Sequence, residues 1–248
     1  MKSNDSFVVV LASAYGVLRN ILFFIAVFSF LSFSGYEIPT TSKIFTALIT
    51  FLASYQVIYF INNYSDRFYD LKYKEGNIYT LIRNKNVYWS IFFILLVIGI
   101  ILSGQYKTEA FYILLSIYIF STFYSLPPVR LKDIYLIRFL SLGVIYSLKF
   151  LYCSNLLSAG LTSTLLPESV VLGGLVSLLA IFYKKDVYKK AVSIKQGEII
   201  LSTLTFVSVA VYYMFSTSST YIIFLIISFY SMSLYIAYRL FMTLGLRS

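Results

Sequence analysis

Residues 44–70 read IFTALITFLASYQVIYFINNYSDRFYD. Positions 44–63 carry no charge, and a bilayer core about 30 Å thick is crossed by a helix of roughly 20 apolar residues. The polar run that follows, INNYSDRFYD at 61–70, starts where such a helix would leave hydrocarbon. The rest of the chain repeats the first half of this pattern. It is 59% hydrophobic and 12% charged over 248 residues, with a mean hydropathy of +0.82. A soluble domain of this length could not hide so much apolar surface. Further spans of the roughly 20-residue kind fall at about 7–33, 88–104, 109–126, 136–157, 166–183, 197–215 and 220–240. The expected fold is therefore all-α: a polytopic transmembrane helical bundle of about eight spans. Helices are required because a lipid-exposed span must satisfy its own backbone hydrogen bonds. The runs are too long for barrel strands and lack their two-residue alternation.

The basic residues set an orientation. With the N-terminus cytoplasmic, Lys2, the loops 64–88, 127–138 and 184–197, and Arg239 and Arg247 all fall inside. Only Lys43 and Lys107 fall in outer loops. The positive-inside rule then places both termini in the cytoplasm. The expected protein is integral and multi-pass, in the cell membrane if prokaryotic, with its polar face cytoplasmic. The net charge of +10 is an orientation signal; its division among loops argues against nucleic-acid binding. No linker or composition break interrupts residues 1–248, so one membrane-embedded domain is expected. MKSND lacks the features of a removable signal peptide. A single cysteine, Cys153, cannot form an internal disulfide, and the absence of histidine excludes His-ligated zinc chemistry and a Ser-His triad.

Two polar constellations stand out. Asn62, Asp66 and Asp70 are spaced by four, and each step of four turns a helix about 400°, so the three share roughly 80° of one face. Carboxylates and an amide oxygen on one face are hard ligands that suit Mg2+ and a diphosphate bridged by it. An ordinary solvated helix end would look the same. The second constellation is YSLPPVRLKDI at 124–134. Pro127 and Pro128 stop the preceding helix. Arg130 and Lys132 follow in a short loop, suited to phosphate oxygens, or serving simply as positive-inside charges.

Together these stretches resemble the UbiA superfamily of intramembrane prenyltransferases. NNYSDRFYD is similar to its first aspartate-rich motif, N-D-x-x-D-x-x-x-D, with Asn63 in place of the second-position Asp. YSLPPVRLKDI is similar to its Y-S-x-P-P-x-[RK]-[LF]-K segment. The resemblance implies Mg2+ held by Asn62, Asp66, Asp70 and Asp186, with Asp66, Asp70 and Asp186 catalytic. It implies that Asn63, Arg19, Tyr124, Arg130 and Lys132 contact an isoprenyl diphosphate. The prenyl group would pass to a lipid-soluble acceptor of the aromatic, quinone-precursor kind, within the bilayer. The family's second motif, D-x-x-x-D, corresponds to FYKKDVYKKAVSIKQG at 182–197, where Asp186 is the one aspartate. Members commonly have a ninth helix.

Those departures motivate an alternative: a catalytically silent member that binds an isoprenoid lipid or a partner protein. Lys184, Lys185, Lys189 and Lys190 would either hold a diphosphate or contact anionic lipid. Arg19 and Asn20 interrupt the first span, and charge within a span faces a cavity or partner unless it lies at the interface. Lys149 and Asn155 raise the same question in the fifth span, where Lys149 could instead snorkel.

Overall fold

A computed structural model of the chain describes residues 3–33, 35–37, 39–73, 79, 82, 84–157, 169 and 173. Five α-helices and one 3-10 turn carry most of them: α1 (Ser3–Phe33), α2 (Thr41–Tyr73), α3 (Lys85–Gly104), α4 (Thr108–Ser125), the turn Leu131–Asp133, and α5 (Tyr135–Leu156). No strand occurs among the described residues. The protein is an all-α bundle, and α1–α5 coincide with the first five expected spans. The expected spans at 166–183, 197–215 and 220–240 lie, apart from residues 169 and 173, outside the described residues.

One boundary differs. Apolar length places the end of span two at 63, yet α2 continues to Tyr73. The polar segment is thus helix rather than loop. Two of its side chains bond back to the helix's own carbonyls. Asn63 Nδ2 donates to Tyr59 O at 2.7 Å, and Arg67 Nη1 donates to Tyr64 O. The other ends follow local chemistry. Asn84 caps α3, its Oδ1 accepting from Asn86 N–H at 3.0 Å, a contact worth about 1 kcal/mol. Leu126 N–H still bonds back to Thr122 O at 2.8 Å before the Pro127–Pro128 pair, joined by a cis peptide, ends α4.

Helix α2 is central and packs against α1, α3, α4 and α5. Its approach to α3 depends on Gly99: a Cβ there would lie 2.9 Å from Ser54 Oγ and 3.1 Å from Ser54 Cα. Small residues allow such backbone proximity between membrane helices. Phe23, Phe51, Ile117 and Phe150 belong to the apolar core. A polar node lies within it. Tyr152 OH is 2.8 Å from Ser54 Oγ and 2.5 Å from Ser103 Oγ, while Tyr118 OH donates to Ser54 O at 3.1 Å. These bonds join α2, α3, α4 and α5, and they satisfy hydroxyls that burial would otherwise penalise.

The outward faces are apolar. Phe93, Ile94, Val97 and Ile101 on α3, and Tyr112, Leu115, Ile119 and Phe123 on α4, are exposed. Residues Thr41–Phe68 and Lys85–Gly104 are long and apolar enough to cross a membrane.

Candidate functional site

The site is built on one face of α2. Asn62, Ser65 and Asp66 stand at i, i+3 and i+4, so they neighbour one another on the helix surface. The chain after α4 supplies the opposite side. Arg130 adopts a left-handed conformation, φ 34 and ψ 62, which a non-glycine residue takes only under local strain of about 1–3 kcal/mol. Its N–H bonds to Leu126 O at 2.9 Å, and Asp133 N–H bonds to Arg130 O at 3.0 Å. This tight reversal is followed by the 3-10 turn and returns Arg130 and Lys132 to α2.

Asp66 is the meeting point. Its Oδ1 accepts from Arg130 Nη2 at 3.2 Å and also from Lys132 Nζ. The Asp66 and Arg130 side chains are 27% and 30% exposed, whereas Lys132 is 7% exposed. Lys132 Nζ lies 3.4 Å from Ser65 Oγ, and Ser65 Oγ–H donates to Ser125 O. Ser125 Oγ–H donates to Asn62 Oδ1. Arg130 Nε pairs with Asp133 Oδ2 at 3.1 Å, and Arg138 Nε–H donates to Lys132 O from α5. The arrangement therefore joins α2, the end of α4, the 3-10 turn and α5.

Of the residues expected at the site, Asn62, Asp66, Arg130 and Lys132 come together. Tyr124 is buried at the end of α4, within the electrostatic reach of Arg138, Asp66 and Asp133. Asn63 directs its amide nitrogen to Tyr59 O, on its own helix. Arg19 meets Tyr59, one turn before Asn62 on α2. Its Nη2 donates to Tyr59 OH, and its guanidinium carbon lies 5.4 Å from the Tyr59 ring centre. Asp70 lies on α2, but its side chain is outside the described residues. Asp186, with Lys184, Lys185, Lys189 and Lys190, lies outside them altogether.

The donor set bears on a metal. Among the described residues no group of three or more His, Cys, Asp or Glu could hold an ion. The described donors are one carboxylate and one amide oxygen, Asp66 and Asn62. That pair fits Mg2+, which is commonly held by one or two protein carboxylates while phosphates and water complete its shell.

No family model matches the sequence, and no curated protein matches it. A solved structure does. A UbiA homolog from Archaeoglobus fulgidus bound to GPP and Mg2+ superposes with a TM-score of 0.59. The two chains are 16% identical, and the match covers 90% of this chain and 86% of that one. The chain has the UbiA fold.

Within this UbiA fold, several site members carry no expected role from the sequence. Ser125 lies inside the YSLPP segment and could have been found there. Ser65 shares a helical face with Asn62 and Asp66, a signal that spacing by four alone passes over. Arg138 has no local signal, since its bond to Lys132 O depends on how α5 leaves the turn.

A second polar group lies deeper. Lys149 has a stem long enough to snorkel, but the structure buries it at 1% exposure. Its Nζ donates to Asn20 Oδ1 at 2.8 Å and lies 4.3 Å from the Phe23 ring centre and 4.2 Å from that of Tyr55. The helix positions explain this. Lys149 lies on the face of α5 turned to α1 and α2, where Asn20, Phe23 and Tyr55 surround its ammonium group. Asn155 is buried too, its Nδ2 donating to Leu151 O at 3.0 Å.

Proposed function

We propose that the chain is an intramembrane, Mg2+-dependent prenyltransferase of the UbiA superfamily, moving a prenyl group from an isoprenyl diphosphate to a lipid-soluble acceptor. The observation that carries this reading is the meeting of Asp66 with Arg130 and Lys132, beside Asn62, in a fold shared with a protein bound to GPP and Mg2+. Residues 1–248 act as one membrane-embedded domain, with about eight spans and both termini on the cytoplasmic side, a reading supported by the basic loops.

In this reading Arg130 and Lys132 take the diphosphate oxygens, which their fork and point charge suit. Asn62, Asp66, Asp70 and Asp186 would hold Mg2+. Bound there, Mg2+ would neutralise charge on the diphosphate. The prenyl carbon–oxygen bond breaks, and its electron pair leaves with the diphosphate. The allylic carbon then bonds to the acceptor, whose proton passes to the released diphosphate. Arg130 and Lys132 favour this step because they face the charge that develops on the leaving group. Tyr124 donates a hydrogen bond to the diphosphate. Arg19 and Asn63 line the donor side, and the surrounding helices exclude water from the cation. The acceptor is of the aromatic, quinone-precursor class.

The test uses membranes containing the protein, labelled geranyl diphosphate, Mg2+ and a panel of aromatic acceptors. The expected result is a Mg2+-dependent prenylated product that Asp66→Ala abolishes. Saturable diphosphate binding without product would instead favour a silent binder, the reading that Asn63 motivates. Equal turnover by wild type and Asp66→Ala would sink the site assignment.

A further inference from the structure

The two cations that the proposed function gives to the diphosphate already have a partner. Arg130 Nη2, at 3.2 Å, and Lys132 Nζ bond to the same oxygen, Asp66 Oδ1. Asn62 Oδ1 accepts from Ser125 Oγ–H. Both described residues with an expected metal role are thus engaged by internal donors. Lys132 is nearly buried, and separating a partly buried ion pair leaves each member uncompensated. A divalent cation approaching Asp66 alone would face two positive groups at the oxygen it needs. A diphosphate arriving alone would draw Arg130 and Lys132 away and strand the Asp66 carboxylate. When both arrive, every charge keeps a partner of opposite sign.

We infer that Arg130 and Lys132 serve as resident counter-ions of Asp66, so that divalent metal and diphosphate bind in mutual dependence. This inference rests on Asp66 being a metal ligand. It predicts an inversion of sign. Removing Lys132 frees Asp66 for metal while it weakens the grip on diphosphate.

The experiment uses the full-length protein in detergent, Mn2+ alone followed by electron paramagnetic resonance, and inorganic pyrophosphate followed by calorimetry. Lys132→Gln is expected to bind Mn2+ about tenfold more tightly than wild type and pyrophosphate about tenfold less tightly, as loss of one charge-assisted bond implies. Arg130→Gln, at a more exposed position, should move both affinities in the same directions by less, and serves if Lys132→Gln does not fold. Arg67→Gln is the charge control, because Arg67 donates to Tyr64 O; it should move neither affinity. Unchanged Mn2+ affinity in both Lys132→Gln and Arg130→Gln overturns the inference, as does an equal gain in Arg67→Gln. Asp66→Asn, combined with Lys132→Gln, separates the two levels. If it abolishes Mn2+ binding that wild type and Lys132→Gln share equally, only the counter-ion role fails. If it leaves Mn2+ binding intact, the metal assignment fails with it.

Discussion

Asp66 and Lys149 are both ionisable residues carried inward by helices, yet their surroundings are opposite. Asp66 lies near the end of α2 among Arg130 and Lys132, with 27% of its side chain exposed. Lys149 is 1% exposed, and among the described residues its Nζ bonds to a neutral amide oxygen and lies against aromatic rings. Measured along α2, Tyr55 beside Lys149 is about 16 Å from Asp66. The contrast separates two uses of polarity in an apolar bundle. Near the surface, charge is held in pairs whose members can change partners when a ligand arrives. In the core, a polar group is locked by packing, so its replacement is felt as stability.

The sharpest way to break that contrast is to exchange the expected readouts. Asp66→Ala should lower prenyl transfer by about 100-fold or more, the scale of losing one charge-stabilising group, a larger effect than the stability lost when the nearly buried Lys132 gives up its Asp66 pair. Lys149→Met should do the reverse, leaving turnover within a few-fold, roughly the limit of a contact that the reaction does not use. A large loss of turnover in Lys149→Met with an intact fold would erase the distinction.

Stability measurements sharpen the core side. Asn20→Leu removes the oxygen that Lys149 Nζ uses and should destabilise the bundle by about 1–3 kcal/mol. Adding Lys149→Met should restore most of that loss, because no unsatisfied donor then remains. Denaturation of the two single variants and the double variant gives the coupling directly. Gly99→Val tests whether the close α2–α3 approach supports both regions. The added atoms would meet the Ser54 backbone, for an expected loss of about 1–3 kcal/mol.

The smallest expected effect is that of salt. Raising ionic strength from about 0.1 M to 1 M shortens the screening length from about 10 Å to 3 Å. Pyrophosphate affinity at the partly exposed Asp66 cluster should fall several-fold, while the stability difference between wild type and Asn20→Leu stays unchanged. Equal salt sensitivity in both would show that the depth difference has no electrostatic consequence.

Much of the Asp66 side of this contrast is legible in the sequence. The five described helices follow from long apolar runs, which Arg19 and Asn20 interrupt in α1 and Lys149 and Asn155 in α5. The Asn62–Asp66 stripe follows from a spacing of four, and Arg130 and Lys132 stand out after two prolines. The extension of α2 to Tyr73 is not legible in the same way, because apolar length marks where hydrocarbon ends, not where a helix ends. Ser65 and Ser125 are placed by their positions, on the Asn62–Asp66 face and inside YSLPP, but what each bonds is not legible, because a hydroxyl gains meaning from the group opposite. Lys149 is ambiguous because its long stem allows either burial or snorkelling, and the choice depends on what surrounds it.

The order of residues carries whatever depends on near neighbours along the chain: helical periodicity, the polar face of α2, and the stop after α4. It does not carry the meeting of Asp66 with Arg130 and Lys132, which are 64 and 66 residues away, or the closure of α1 and α2 over Lys149. Periodicity states which face of a helix a side chain occupies. The helix that this face meets is selected by packing, through contacts such as Gly99 on Ser54 and the left-handed turn at Arg130.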